Sequence, residues 1–280
     1  MKKVLIWISL GLMCLGSVLF CCVGVSLNFD FTRLDDMMYI TNKYKFNKQI
    51  SSIILNTVKA DIDLRPSEDG KCRVVCYEPE NIRHDVSVTD GVLMISWVDQ
   101  RNWLDRLTVL NFHTPTITVY LPEGAYQSLK VNNTTGDIKI NGEWNFIDVS
   151  LSTTTGDIHA GGLTCSSDVT VQTTTGDLKL ENVSCNNLIA EGSTGDTQLS
   201  FVTASSILQI KRTTGDIELY RCDGNHMHIK TTTGDVTGTI LTPKLINARS
   251  TSGNVDVPSS TSGGHCEIET TTGDICIKIH

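Results

Sequence analysis

The hydrophobic and polar residues fall into three regimes along the chain. From Val4 to Leu27 there is no formal charge, and the next is Asp30. This run predicts a helix of about 36 Å at ~1.5 Å per residue, enough to cross a hydrocarbon layer of ~30 Å. Lys2 and Lys3 precede it, which favours a cytoplasmic N-terminus and an exported body. Arg33, Lys43 and Lys45 on the far side oppose that bias, and Asp30, Asp35 and Asp36 dilute them. A cleaved signal peptide is the alternative, with Cys22 and Gly24, or Gly24 and Ser26, as the small residues of a cleavage site. A lipoprotein would need a small residue before the acylated cysteine, whereas Phe20 precedes Cys21 and Met13 precedes Cys14.

From residue 131 onward, apolar positions recur by twos and no helical period appears. They are locked to a repeat. Thr-Thr-Gly-Asp or a close variant recurs with glycines at 136, 156, 176, 195, 215, 234, 253 and 273, at intervals of 20, 20, 19, 20, 19, 19 and 20. Asp follows every one of these glycines except Gly253, which Asn254 follows. Seven and five residues before the glycine stand pairs such as Leu129/Val131, Val149/Leu151, Val169/Val171, Leu208/Ile210 and Ile246/Ala248. Two and four residues after it stand Ile138/Ile140, Leu178/Leu180, Ile217/Leu219 and Ile275/Ile277. Spacing by two is the strand signature. Each repeat therefore reads as two short strands joined by a Thr-Thr-Gly-Asp corner and a second, looser corner. One such unit has a single buried face and cannot stand alone, so stacked units must share a continuous apolar column. The predicted fold is all-β: a parallel β-solenoid of 19–20-residue coils, eight of which make a rod of roughly 40 Å at ~4.8 Å per rung. A sandwich or barrel of antiparallel hairpins is the competitor, but hairpins do not need the same residue at the same corner in every repeat.

The third regime, residues 45–130, is less regular. Ile53 to Leu64 reads as a degenerate first coil with Ala60-Asp61 in the Gly-Asp place. Alternating stretches follow at Cys72–Tyr77, Val86–Val88 and Val92–Trp97, with Thr89-Asp90-Gly91 as a hairpin turn. The domain reading is thus an anchor or signal segment (1–27), a stalk (28–44), an N-terminal hairpin cap with the first coil (45–130), and the solenoid repeats (131–280). Ile117–Pro122, then Leu129–Ile140 with its Thr-Gly-Asp-Ile, then the serial repeats resemble the bacterial "putative adhesin" β-strand-repeat family, a domain of unknown function in envelope proteins. The resemblance covers about residues 45–280. It implies an extracytoplasmic solenoid with an envelope or adhesive role, often tethered by one N-terminal membrane helix, and it supplies no catalytic residues.

Composition narrows the chemistry. Lys plus Arg is 23 against 31 Asp plus Glu, a net charge of −8 with no basic block, so nucleic acid is not an expected partner. Hydrophobic content of 40% with 19% charged residues excludes global disorder. The corner aspartates Asp137, Asp157, Asp177, Asp196, Asp216, Asp235 and Asp274 would stack along one edge. Like charges about 5 Å apart repel by near 1 kcal/mol per pair in water, so something must offset them. Hydrogen bonding to corner amides and threonine hydroxyls is the plain answer. Bound Ca²⁺ is the sharper one, although the repeat lacks the Gly-Gly-x-Gly-x-Asp spacing of calcium-binding β-rolls. The outward row Asn132, Ser152, Gln172, Glu191, Lys211, Lys230, Arg249 and Glu269 is too mixed for an ice-binding hydroxyl array.

Cys165 and Cys185 lie one repeat apart and are expected to be stacked thiols or a disulfide; Cys222 and Cys266 take core positions and Cys276 an outward one. Cys72 and Cys76 share a strand face but stand about 13 Å apart at ~3.3 Å per residue, too far to bridge. No Cys-x-x-Cys pair follows the first segment, so neither zinc nor any other cofactor is expected. His226 and His228 share an outer face and read as a solvated pair. Trp97, Arg101, Trp103, Asp105 and Arg106 form one aromatic, charged stretch that reads as a shield over the first edge. No Gly-x-Ser-x-Gly, phosphate loop or paired-carboxylate motif occurs, and coils this short leave no length for the loops of solenoid enzymes. The expected function is a membrane-anchored, non-enzymatic structural, adhesive or envelope-sensing module, held to the membrane through residues 4–27 with a protein or glycan partner. The alternatives are an envelope-polysaccharide-binding protein or solenoid enzyme, and a cytoplasmic regulatory body on a membrane anchor. The last strand ends at the chain terminus, so the C-terminal coil is expected to present an open edge for a second copy or a partner.

Overall fold

The computed structural model describes residues 2–26, 38–100 and 113–280. Helix α1 (Lys2–Ser26) comes first, and every later element among the described residues is a strand. The first group is β1 (Tyr39–Phe46), β2 (Ser52–Asn56), β3 (Asp61–Pro66), β4 (Cys72–Pro79), β5 (Ile82–Thr89), β6 (Val92–Asp99) and β7 (Thr116–Leu121). The solenoid follows: β8 (Ala125–Asn132), β9 (Ile138–Ile140), β10 (Trp144–Thr155), β11 (Ile158–Cys165), β12 (Asp168–Thr175), β13 (Leu178–Thr194), β14 (Thr197–Lys211) and β15 (Ile217–Lys230). It closes with β16 (Val236–Ile240), β17 (Lys244–Ser252), β18 (Val255–Asp256), β19 (Gly264–Thr272) and β20 (Ile275–Ile279).

The repeat builds a parallel β-solenoid. Before the corner, Leu129 pairs with Val149, Val149 with Val169, Val169 with Leu188, Leu188 with Leu208, and Leu208 with Met227, all parallel and in register. The side chains of this column are buried, each contributing on the order of 1.5–3 kcal/mol relative to exposure. Antiparallel pairing is confined to the cap, where β4 lies between β1 and β7 and β5 pairs with β6. The hairpin competitor is therefore realised only there. The β5–β6 turn uses Asp90 and Gly91, both at positive φ, as a two-residue hairpin demands. Residues 39–44, the far part of the expected stalk, lie in β1 and pair with β4 as part of the cap.

The order of coils departs from chain order at both ends. β2 and β3 stack directly under β8 and β9, with β6 and β7 outside them. At the other end β19 lies against β15, and β17 lies outside β19; likewise β20 sits between β16 and β18. The Gly273 coil is thus inserted beneath the Gly253 coil. This corrects the expectation that the final strand forms the open edge: among the described residues the outermost rung is 244–257.

Two physical reasons select this order. The inserted coil is the more apolar one, and Cys266, Ile268, Ile275 and Ile277 are all buried, whereas Val255 of the outer coil is 43% exposed. Charges also alternate: Glu269 lies between Lys230 (2.8 Å) and Arg249 (3.4 Å), where strict chain order would set Lys230 beside Arg249. Among the described residues no helix is long and apolar enough to cross a membrane. On α1 the side chains of Trp7, Leu12, Met13, Leu15, Val18, Leu19, Phe20 and Val25 are exposed.

Candidate functional site

The repeated corner is the most elaborated feature of the rod. Each glycine takes a positive φ, +144° at Gly176 for example, and its backbone packs against the carbonyl of the glycine on the neighbouring rung, or of Ala60 in the case of Gly136. The threonine three residues before the glycine turns inward. Thr153 donates its hydroxyl to the Gly136 carbonyl (3.3 Å), Thr173 to Gly156 (3.1 Å), Thr231 to Gly215 (3.2 Å) and Thr270 to Gly234 (3.1 Å).

The aspartates form the predicted ladder, and its wiring is specific. Oδ1 of each accepts the backbone N–H of the aspartate on the next rung. Asp61 accepts from Asp137 (3.0 Å), Asp137 from Asp157 (3.0 Å), Asp157 from Asp177 (2.8 Å) and Asp177 from Asp196 (2.8 Å). The series continues through Asp196 to Asp216, Asp216 to Asp235 and Asp235 to Asp274. The last donor is Asn254, whose N–H meets Asp274 Oδ1 at 2.7 Å. Amide donors thus offset the stacked charge, whereas the inward threonine hydroxyls, expected to share in this, donate to the glycine carbonyls instead. Both departures from Gly-Asp sit at the ends. Asn254 is on the terminal rung, where no further amide needs a carboxylate. Ala60 is on the first, where no corner glycine lies beneath.

In the middle of the rod three residues break the pattern together. Where sister coils have Thr, Ser or Asn, residue 192 is glycine and residue 212 is arginine, and where they have Ile, Leu or Val, residue 197 is threonine. Arg212 is buried and fills the space over Gly192. It donates Nε to Thr197 Oγ1 (2.6 Å), Nη1 to the Gly176 carbonyl (3.3 Å) and Nη2 to the Asp196 carbonyl (2.8 Å). Nη1 thereby takes over the job of the missing threonine hydroxyl. Burial lowers the Arg212 pKa, while Asp177 and Asp196 act to raise it.

Beside the corner, Ser152, Thr154, Gln172, Thr174, Glu191, Lys211 and Thr213 line an open polar groove of ≈ 390 Å³. This is the mixed row expected from the sequence. Farther along, His226 stacks on His265 of the inserted coil (centroids 5.7 Å apart), and His228 meets Glu267 at 3.2 Å. Sequence order hid the first contact, because those residues are two coils apart in the chain.

Cys165 and Cys185 are free and buried; burial is the main cause that pushes each thiol up to about 12. Cys222 and Cys266 are buried in the core, and Cys276 is partly exposed. Trp97 lies on β6; Arg101, Trp103, Asp105 and Arg106 lie outside the described residues.

A repeat of Thr-Gly-Asp corners on a parallel β-solenoid, preceded by a hairpin cap, defines a class of stacked-rung repeat proteins. The chain belongs to the Toastrack DUF4097 family, whose profile matches residues 50–218 and again 166–280. Among solved structures, the fold is similar to a "putative adhesin" from Bacteroides fragilis NCTC 9343. The two are 21% identical over 87% of this chain and 99% of that one, with a TM-score of 0.55. A "putative adhesin" from Parabacteroides distasonis ATCC 8503 is 14% identical over 86% of this chain and 98% of that one, with a TM-score of 0.31. At 21% identity the Bacteroides fragilis likeness speaks to fold alone. No curated protein matches the chain significantly.

Proposed function

We propose that the protein is a non-catalytic adhesive rod, held in a membrane by α1 with the solenoid outside the cytoplasm, whose polar groove face engages a repetitive envelope partner, glycan or protein. The observation that carries this reading is the periodic, exposed polar row along the groove. A partner that repeats along its own length can meet the same groups on every rung, so weak contacts add by multivalency. The uncharged run Val4–Leu27 and the exposed apolar side chains of α1 support membrane attachment.

The test uses the full chain in intact cells and then in proteoliposomes. Protease applied to intact cells is expected to remove the solenoid while α1 stays in the membrane fraction. Binding of the reconstituted protein to isolated envelope material is expected to fall several-fold in the groove variant Glu191→Ala/Lys211→Ala, with unchanged circular dichroism. A solenoid protected from protease, undiminished binding by the variant, or turnover of envelope polysaccharide would each overturn the reading.

A further inference from the structure

The cap holds a second polar cluster, away from the corner and in a dry place. Cys76 and Glu78 point inward from β4, and His84 points inward from β5 across the reversal at residues 80–81. All three are buried, and the His84 and Glu78 side chains are wholly inaccessible. One ligand atom from each lies within 4.8 Å of the others. Glu78 Oε2 faces His84 Nδ1 at 2.7 Å and accepts the His84 backbone N–H at 2.8 Å, while Asn42 Nδ2 donates to Glu78 Oε1 at 2.7 Å. The carboxylate is therefore fixed at both oxygens and fixes the ring in turn. His84 Nε2 is buried and meets no hydrogen-bond partner among the described residues.

With Nδ1 facing the carboxylate, Nε2 is the ring nitrogen left without a partner among the described residues. A buried polar atom of this kind is costly unless something meets it. A thiol two residues from the carboxylate completes a set of one sulfur, one nitrogen and one oxygen. We propose that Cys76 and His84, with Glu78 ligating or orienting them, form a binding site for a divalent transition-metal ion of the Zn²⁺ type. The mixed sulfur and nitrogen donors suit Zn²⁺ and disfavour Ca²⁺ and Mg²⁺, which take oxygen ligands. The charges balance as well: a thiolate and a carboxylate offset a 2+ ion, the neutral imidazole adds nothing, and binding releases the Cys76 proton to solvent. The Asn42–Glu78–His84 chain is the kind of outer support that holds a ligating histidine in one orientation. In the cap such an ion would tie β4 to β5 at the first end of the rod, independently of what the groove binds.

The experiment titrates the full-length, metal-stripped protein with Co²⁺ and with Zn²⁺. Co²⁺ is expected to give a thiolate-to-cobalt charge-transfer band that saturates at one equivalent and is erased by Zn²⁺. The band is expected to vanish in Cys76→Ala and His84→Gln, to persist in Cys72→Ala and Cys276→Ser, and to need at least tenfold more Co²⁺ in Glu78→Gln. Zn²⁺ is expected to raise the melting temperature of the wild-type chain. A band that survives in Cys76→Ala, or a wild-type melting temperature that Zn²⁺ leaves unchanged, would overturn the site. The second readout decides the matter even if the cap variants fail to fold.

Discussion

Gly176→Ala isolates what the corner requires. At φ +144° an L residue is strained by about 1–3 kcal/mol wherever it stands. The added Cβ would also run into the Gly156 carbonyl one rung below, and would sit 3.1 Å from Asp157 Oδ1. That carbonyl cannot retreat freely, because it accepts the Thr173 hydroxyl and belongs to a rung locked from both sides. Opening the rungs would weaken the Asp177-to-Asp157 and Gly156-to-Thr175 bonds, each worth about 1 kcal/mol net. The sum is about 4 kcal/mol, in the range that marks a specific structural lesion. In a body of this size it corresponds to a melting temperature lower by roughly 10 °C. Gly161→Ala is the internal control. Gly161 has an ordinary φ, and a Cβ there would meet nothing closer than the Glu181 carbonyl at 3.5 Å. Reduced unfolded-state freedom should leave that variant neutral or stabler by about 0.5 kcal/mol. Urea midpoints of the two variants, with amide exchange at residues 156 and 177, check the argument. Equal midpoints for Gly176→Ala and Gly161→Ala would refute it.

Three further outcomes follow from the same geometry. Asp196→Ala, which strands the Asp216 amide, should cost about 1 kcal/mol, whereas Asn254→Ala at the ladder's end should cost nothing measurable in the same urea series. Arg212→Ala should cost about 3 kcal/mol by leaving a void and unpaired carbonyls, while the triple variant Gly192→Thr/Thr197→Ile/Arg212→Thr, which restores the sister-coil pattern, should recover most of it; double-mutant cycles measure the coupling. The buried thiols Cys165, Cys185 and Cys266 are held up to about 12 and Cys222 to about 11, above their ordinary 9.0, mainly by burial. Folded pKa values above the unfolded one mean that this stability is complete below pH 9 and is lost as pH rises toward 12. The loss is about 1.4 kcal/mol per thiol per pH unit, so Cys165→Ala/Cys185→Ala should flatten the decline of the urea midpoint between pH 9 and 11.

The solenoid was legible because its signal is redundant. The same apolar pair flanks the same glycine rung after rung, and a missing or odd member, such as Thr197, does not disturb the period. The second, looser corner has a weaker sign of its own: Gly142, Gly162 and Asn182 stand six residues after their glycines, and all take positive φ, as do Phe201 and Arg221 at the same position. The buried arginine was written as three coincident exceptions at 192, 197 and 212, each unremarkable alone. The cap cluster was hidden by its spacing. Cys76, Glu78 and His84 match no ligand motif, and only the inward alternation of β4 and β5, with the reversal between them, brings them together.

The order of the last two coils could not be read from periodicity, since a register repeat is blind to which rung stacks on which. It was nonetheless encoded in the exceptions. A ladder in which every carboxylate serves the amide above needs an aspartate at every rung but the last, and the single substitution falls at Asn254, not at Asp274. The outward charges say the same thing: Lys230 and Arg249 repel as neighbours and are reconciled only when Glu269 lies between them. Together these two observations identify the Gly253 coil as the rod's terminal rung. The edge open for pairing is therefore residues 244–257, with Val255 and Leu245 on its surface. A docking experiment aimed at the final strand would probe a buried rung. One that places charge at Leu245 or Val255 would probe the edge itself.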